Sequence, residues 1–303
     1  MSRGESTKAL VAARQALSLD DESPEVHNLL GVIYAMEGDF GEAMTCYQRA
    51  VDLDEDYLDP LLNAAELLLH SQDNPEEAVD YCRKARDLVE LEEEKVEVVL
   101  LETDALLTLG RRDDARKLLR EIEDLTYEVP VHYTAVGRAL FEVGDFEKST
   151  ELIEKAVSLT PDATDAHYCR GLLYREEGHR VDAVRSFLTV LEQDALRPPT
   201  PWISDLAKND RLAAQAVGLL AAELQSMLAG TVIHVEPQPS RQQVMDELDP
   251  RAAVWAHTVD GEAGGFVHLW IFFNNFEYAG IRPISPESDL AELIQEELVF
   301  HHH

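Results

Sequence analysis

Residues 31–54 read GVIYAMEGDFGEAMTCYQRAVDLD, and weaker versions of this stretch recur further along the chain. Related stretches occupy residues 105–125, 137–161 and 171–194. Each has apolar residues three and four positions apart on both sides of a central glycine. That spacing is typical of two amphipathic helices joined by a turn. The pattern therefore predicts a helical hairpin that is repeated along the chain.

The turn glycines set the period of this repeat. Gly110, Gly144 and Gly178 follow one another at intervals of 34 residues, whereas Gly38 lies 72 residues before Gly110. Glycine can take the left-handed conformation of a tight turn without the steric cost of a Cβ atom. The longer interval corresponds to two repeats and four inserted residues, so a divergent repeat is predicted at about 58–95.

The period and the alternation of small and bulky positions resemble the tetratricopeptide repeat family, whose unit is 34 residues long. Small residues let the paired helices approach and aromatic residues fill the gaps; the matching positions are Gly31, Tyr34, Ala43, Tyr47, Ala50, Gly137, Gly171, Tyr174, Ala183 and Phe187. Pro161 stands at the usual proline between repeats. The resemblance covers about residues 1–195. It implies a mostly α solenoid of helical hairpins, with five repeats beginning near residues 24, 58, 96, 130 and 164.

The stretch before the first repeat aligns with the second helix of a repeat. Ala9 and Ala16 lie 34 residues before Ala43 and Ala50, but the first helix of such a pair is missing. Either the chain is a fragment that starts within a repeat, or this helix is a cap of the kind that solenoid ends require.

In proteins of this family the first helix of each repeat, helix A, lines a peptide-binding groove. The lysine, asparagine and arginine set with which one branch grips carboxylates is absent here, although Asn28 and Asn63 are available. We expect a groove that is acidic early and mixed later, and that binds a basic or amphipathic protein segment. The alternative is that these charges only solvate an exposed helix face. The candidate groove residues are Glu25, Asn28, Asp59, Leu62, Glu66, Glu97, Asp104, Arg138, Tyr168 and Arg175.

The composition restricts the class of protein and of partner. The chain is 45% hydrophobic and 28% charged, with a formal net charge of -33, which disfavours nucleic acid and anionic membranes as partners. No apolar run is long enough to span a bilayer, and the first ten residues lack the apolar core of a signal peptide. Cys46, Cys82 and Cys169 are scattered, so neither a disulfide framework nor a CxxC metal site is expected. These features predict a soluble, cytoplasmic protein.

A change of pattern marks a second domain. The prolines of RPPTP at 197–201 interrupt the helices, so a linker is predicted at 196–208 and a small α+β domain at 209–300. An amphipathic helix over 210–230 would end at Gly230. Strands rich in β-branched and aromatic residues are predicted at 231–237, 252–259 and 265–273, followed by a helix that begins after Ser285 or Ser288. The expected order is helix, strand, strand, strand, helix.

This domain resembles the minimal-zincin metallopeptidase-like family over about residues 205–300. The resemblance lies in VIHVEPQPS at 232–240, DELDPRAAVWA at 246–256, and FVHLWIFFNNFEYAG at 266–280 before a helix. It implies a zinc site built on an HExxH motif, in which two histidines one helical turn apart hold the ion. The first histidine would fall near Phe300 or His301, but the chain contains no HExxH motif.

The terminal histidines, residues 301–303, are interpreted as the remnant of an affinity tag. Either the sequence stops before a metal-binding helix that the native protein has, or the native domain is degenerate. No catalytic residue and no cofactor is therefore expected, with zinc only if such a helix follows residue 300. The predicted function is a protein-interaction scaffold, and the alternative is a zinc metallopeptidase whose repeats recruit substrate.

The second domain contains three further groups of residues that could form a site. His234, His257 and His268 lie on predicted strands and could converge on a metal with Glu236, or could be ordinary strand residues. Glycine-rich GEAGGF at 261–266 fits a hairpin turn better than a phosphate site because no helix follows it. The aromatic residues Trp255, Trp270, Phe266, Phe272, Phe273 and Phe276 form either the core of the domain or an exposed docking patch.

Overall fold

The computed structural model describes residues 3–198, 202, 206–257, 268–281 and 285–300. The chain divides into two compact units, Met1–Pro161 and Asp162–His303. The fifth predicted repeat therefore lies in the second unit, together with the domain beyond it. Among the described residues, no helix combines the length and the apolar character needed to cross a bilayer.

Nine helices are described in the first unit, and they follow one another as antiparallel neighbours. Helix α1 packs on α2 through Ala13, which is 2% exposed, against Leu30 and Ile33. Four helical hairpins follow α1, at the positions of the first four predicted repeats. The bounds are α1 Arg3–Leu19, α2 Pro24–Glu37, α3 Phe40–Leu53, α4 Leu58–Ser71, α5 Pro75–Leu88, α6 Glu92–Thr108, α7 Arg112–Leu119, α8 Pro130–Glu142 and α9 Phe146–Leu159.

The predicted turn and packing glycines take their expected roles. The four turn glycines all have a positive φ, between 70° at Gly110 and 82° at Gly38. A Cβ atom on Gly31 would lie 2.4 Å from the ring of Tyr47, so the two helices touch at a point that only glycine permits. The second hairpin lacks a turn glycine, and Asp73 takes the left-handed conformation instead, with φ 49°.

The four inserted residues lengthen one helix. Helix α6 begins at Glu92 and has 17 residues, whereas α2 and α4 have 14 each. Residues 92–95 thus form an extra first turn ahead of the predicted repeat start at 96. This turn carries three successive glutamates, an arrangement that the positive end of the helix dipole favours.

The second unit begins with one more hairpin and continues into the α+β domain. A single 3-10 turn, Phe273–Asn275, follows the last strand. The described elements are α10 Thr164–Glu176, α11 Arg180–Asp194, α12 Leu206–Leu219, α13 Ala222–Met227, β1 Val232–Glu236, α14 Arg241–Met245, β2 Val254–His257, β3 His268–Phe272 and α15 Pro286–Phe300. The predicted order of helix, three strands and helix is present, with the short helices α13 and α14 added.

The prediction of one continuous helix over 210–230 is wrong. Helix α12 ends at Leu219, Ala221 is extended with ψ 150°, and α13 begins at Ala222. The side-chain amide of Gln225 donates hydrogen bonds to the carbonyl oxygens of Gly218 and Leu220, at 3.1 and 2.8 Å. These bonds satisfy carbonyl groups that a helix end leaves without a partner, which makes the break stable.

The sheet has the strand order β1-β3-β2, with β1 parallel and β2 antiparallel to β3. Leu269, Ile271 and Ala256 are at most 1% exposed and belong to one apolar cluster with Leu290 and Ile294 of α15. The phenylalanines at 272, 273 and 276 are also buried. The paired positions of Trp255 and Trp270 place both rings on the opposite face of the sheet, where they are half-buried. The described aromatic residues are therefore divided between a core and a second face, and Phe266 lies outside the described residues.

Candidate partner-binding surface

The candidate groove residues of the first three helices A differ in what they offer a partner. Asp59, Glu66 and Glu97 are exposed carboxylates. Glu25 is exposed too, and a hydrogen bond from the Ser23 hydroxyl, at 2.7 Å, lowers its pKa. Leu62, also a candidate, is only 8% exposed and belongs to the core instead.

The sequence suggested that Asn28 is an available hydrogen-bond donor, but in the structure its amide is already engaged. It is 8% exposed, and its side-chain amide donates to the Tyr57 hydroxyl at 3.2 Å. Its side-chain oxygen accepts from the amide of Asn63 at 2.9 Å. The two asparagines thus bind each other and join neighbouring repeats, which leaves the carboxylates as the dominant polar groups of this surface.

Two half-buried carboxylates, Asp104 on α6 and Glu142 on α8, are opposed by one guanidinium, that of Arg138 on α8. Burial raises the pKa of Asp104, against the charges of Arg138 and His70, which lower it. Burial likewise raises the pKa of Glu142, and the charge of Asp104 adds to the effect while Arg138 opposes it. Arg138 lies 3.7 Å from Glu142. Two carboxylates against one guanidinium leave the cluster short of positive charge.

A cavity of about 260 Å³ opens beside the extra turn of α6. Leu91, which lines it, is 61% exposed. No lysine or arginine is among the described residues around the cavity. Its apolar lining includes Leu91, Val96, Leu125 and Tyr127, and its carboxylates are Glu92, Glu93 and Glu128. Apolar walls with acidic groups at the rim suit the stem and charged head of a lysine or arginine.

The two candidate residues of the fifth helix A, Tyr168 and Arg175, are already in contact with the chain itself. The Tyr168 hydroxyl donates a hydrogen bond to Asp249 at 3.0 Å, and a guanidinium nitrogen of Arg175 lies 3.9 Å from the same carboxylate. Burial, followed by the charge of Asp249, raises the pKa of Tyr168, so the hydroxyl keeps its proton. Residues beyond β1 therefore contact both positions, although Tyr168 is half-buried and Arg175 stays exposed.

Sequence reasoning missed the residue at the centre of this contact, Arg251. Its guanidinium binds Asp165 at 2.7 Å and Asp194 at 3.1 Å, and lies over the rings of Tyr168 and Tyr278. Its sequence signal is the stretch DELDPR at 246–251, which carries part of the zincin resemblance. Nothing in its spacing indicates which distant residues it meets.

The open face of the sheet carries a stacked aromatic row. Trp270 stacks on Trp255 at 4.8 Å and on His234 at 4.7 Å between ring centroids. The Nε2 atom of His234 lies 2.9 Å from Nδ1 of His268, and His257 pairs with His268 across the strands. Within the described part of the chain, no three or more histidine, cysteine or acidic side chains form a group that could hold a metal.

Two sequence-based interpretations concern residues outside the described ranges. These are the hairpin turn at 261–266 and the terminal histidines at 301–303.

Comparison with known families assigns the hairpins. Models of the tetratricopeptide repeat match residues 24–57 and residues 134–198. The hairpins within these two ranges are tetratricopeptide repeats. The prediction of this repeat is confirmed, whereas the zincin-like resemblance of the C-terminal domain stays a prediction. No curated protein matches the sequence.

A solved structure agrees with the repeat fold. The chain is similar to a Pseudomonas aeruginosa structure described as a functional characterization of pilF, with a TM-score of 0.52 and 19% identity over 70% of this chain and 91% of that chain. For PilW, a widely conserved type IV pilus biogenesis factor, the TM-score is 0.49 and the identity 16%, over 64% of this chain and 85% of that chain. For YrrB, a tetratricopeptide protein with an unusual peptide-binding site, the TM-score is 0.46 and the identity 16%, over 61% of this chain and 94% of that chain. Likeness at these identities concerns the fold alone.

Proposed function

We propose that this protein is an interaction scaffold whose tetratricopeptide repeats bind a basic or amphipathic segment of a partner protein. Tetratricopeptide repeats form protein-interaction scaffolds, and matches to this repeat cover two parts of the chain. The binding surface in this proposal is the helix A face of the first unit. Its partner is a protein or peptide, not a nucleic acid or a membrane, and the site of action is the cytoplasm.

The observation that carries the proposal is the uncompensated charge at Asp104 and Glu142. Burial disfavours both carboxylates in their ionised form, and the opposing charges among the described residues are Arg138 for both carboxylates and His70 for Asp104. An ammonium or guanidinium group from a partner would favour the ionised carboxylates and be held by them. The exposed carboxylates Glu97, on the same helix as Asp104, and Glu66, on α4, extend the acidic surface.

The cavity beside α6 adds an apolar component to this surface. An amphipathic helix can place an aliphatic side chain against Leu91 and Leu125 while a basic residue reaches the rim at Glu92. Such pairing of apolar anchors with complementary charge is common where a helix binds in a groove. The cavity therefore favours an amphipathic segment over a uniformly basic one.

Binding of synthetic peptides tests the proposal. The probe is a fluorescent amphipathic peptide with lysine and arginine on one face, and its control is the same peptide with glutamate at those positions. We expect the basic peptide to bind and the acidic one not to bind. The double variant Asp104→Asn/Glu142→Gln should weaken binding of the basic peptide by about ten-fold or more.

A matched control variant changes two exposed carboxylates on second helices of the first unit, Glu76→Gln on α5 and Glu147→Gln on α9, and preserves the net charge change. It should bind the basic peptide almost as well as the unmodified chain. Equal weakening by both double variants would mean that net charge alone attracts the peptide, and the proposed surface would be wrong.

The proposal gives the C-terminal domain no catalytic role and no cofactor. Zinc analysis of the purified chain without residues 301–303 tests this part. About one equivalent of zinc per chain would overturn it and favour the alternative, a zinc metallopeptidase whose repeats recruit substrate.

A further inference from the structure

Residues 241–251, here called the clasp, pack on the hairpin formed by α10 and α11. The clasp consists of α14 and the turn that follows it. Its apolar anchor is Val244, which is fully buried and forms one cluster with Ala183, Phe187 and Leu191 of α11. Val244 therefore belongs to the core of the hairpin and not to the core of the sheet.

Polar contacts hold the second half of the clasp. Asp249 binds Tyr168 and Arg175 of α10, the two positions predicted to contact a partner. Two residues further, Arg251 binds Asp165 of α10 and Asp194 of α11. The clasp thus combines an aliphatic anchor, a carboxylate and a guanidinium within a short stretch.

The clasp is joined to the sheet at its two ends. At the first end, the backbone amide of Asn274 donates to the carbonyl of Pro237 at 2.9 Å. At the other end, the side chain of Asn275 donates to the carbonyls of Pro250 and Ala252 at 2.9 and 2.7 Å. Between these ends Val244 is buried, Gln243, Leu248 and Asp249 are half-buried, and the remaining clasp residues up to Glu247 are exposed. The middle of the clasp can leave the hairpin without exposing the apolar core of the sheet.

The bound conformation is locally unfavourable. Glu247 has φ 76°, in a region that a residue with a Cβ atom rarely occupies. The exposed side chains of Arg180 and Glu247 form an ion pair across the contact, and those of Arg241 and Glu192 form another at 2.7 Å. Exposed pairs of this kind contribute little to stability. The bound state therefore depends on Val244, Asp249 and Arg251.

We propose that the clasp is a displaceable intramolecular ligand of the fifth tetratricopeptide repeat. It contacts both helices of that repeat, α11 through Val244 and α10 through Asp249 and Arg251. A partner segment of the same chemistry competes with it: a short helix with an aliphatic anchor, followed by a carboxylate and a guanidinium. The inference rests on the proposed function in treating the repeats as binding surfaces. In this proposal the fifth repeat binds a different ligand from the basic segment that the acidic first unit binds.

Competition from the tethered clasp has a measurable consequence. A segment held next to its site acts at a high effective concentration, so a free ligand binds only to the fraction of molecules in which the site is open. A variant that weakens the clasp but leaves the hairpin unchanged should therefore bind a free clasp peptide more tightly. Val244→Asp is such a variant, because it leaves every residue of α10 and α11 in place and makes burial of the clasp's anchor costly.

The experiment measures binding of a fluorescent peptide with the sequence of residues 240–251 to the full chain. We expect the Val244→Asp chain to bind it about ten-fold or more tightly than the unmodified chain. Met245→Ser, next to the anchor but exposed, should behave as the unmodified chain. Adding Phe187→Ala to Val244→Asp should abolish binding. Equal affinity of the unmodified and Val244→Asp chains would overturn the proposal.

Hydrogen exchange of the unmodified chain provides a test that does not depend on any variant folding. Amides of residues 244–249 should exchange faster than those of α11, through local opening. Exchange of both segments at one common rate would mean that they open only by unfolding together, and the clasp would then be a fixed structural element. Neither measurement uses the basic peptide or the first unit, so failure of the proposed function there leaves this test unaffected.

Discussion

The carboxylate of Glu102 is paired with the guanidinium of Arg86 at 3.0 Å, inside the first unit. The side chain of Glu102 is 4% exposed, and Arg83 supplies a second guanidinium at 3.6 Å. Burial raises the pKa of Glu102, and the two arginines oppose that effect. The pair joins the second helix of one repeat to the first helix of the next, so its loss should lower the free energy of unfolding.

Arg86→Met should lower the free energy of unfolding by about 1–3 kcal/mol, because it leaves a buried carboxylate with a weaker partner. Urea unfolding followed by circular dichroism measures this. Arg111→Met is the control, since its pair with Asp114 is exposed on both sides and should contribute less than about 1 kcal/mol. Equal effects of the two substitutions would show that burial does not strengthen the Glu102 contact.

Asp104→Asn should stabilise the chain near neutral pH. The pKa of Asp104 is raised in the folded state, so over the range between its ordinary and its raised value the folded chain binds more protons than the unfolded one. Stability consequently falls as pH rises through that range, and an uncharged amide avoids the penalty. Below the ordinary carboxyl range both states are protonated, so the gain should disappear there. Thermal unfolding at about pH 7 and about pH 3 checks the sign. A destabilised variant at pH 7 would contradict the assignment.

Gly31→Ala should destabilise the first hairpin by about 1–3 kcal/mol, because the added methyl group would meet the ring of Tyr47 at 2.4 Å. Gly41→Ala is the matched control in the same hairpin. Its added Cβ meets nothing within 4 Å, and the helix gains up to about 1 kcal/mol from the better propensity of alanine. Chemical unfolding of both variants should therefore give changes of opposite sign.

Arg251→Met should be more damaging than Arg241→Met, although both remove an arginine of the clasp. The side chain of Arg251 is 9% exposed and its loss leaves Asp194, 13% exposed, without that partner. We expect a loss of about 3 kcal/mol. Arg241 and Glu192 are exposed, so their pair should contribute less than about 1 kcal/mol. Calorimetric unfolding compares them, and similar losses would argue against a dominant role for Arg251.

Local patterns predicted much of the repeat region, and particular residues show why. Gly31 and Tyr47 were identified because the same small and bulky positions recur in other repeats, so one packing solution appears several times in the sequence. The break at Ala221 was missed because the apolar spacing runs on through it. The non-helical backbone at Ala221 and the hydrogen bonds from Gln225 show that the chain leaves the helix there.

The candidate surface was predicted unevenly for the same reason. Exposed carboxylates such as Glu66 follow from position within the repeat. Asn28 is engaged by Asn63, 35 residues away, and Tyr168 is engaged by Asp249, 81 residues away. Both residues are therefore engaged for reasons that lie far along the chain. A periodic pattern describes one repeat and carries no information on such partners.

The sequence by itself determined the repeat, its period, the left-handed turn glycines and the acidic character of the early helices A. These properties depend on local conformation and on packing between adjacent helices, which the same residue types satisfy in each repeat. Only the tertiary structure decided which carboxylates are half-buried and that the clasp covers the fifth repeat. Burial and long-range pairing arise when distant segments meet, as Arg251 meets Asp165 across 86 residues, and such a single contact leaves no repeated pattern in the sequence.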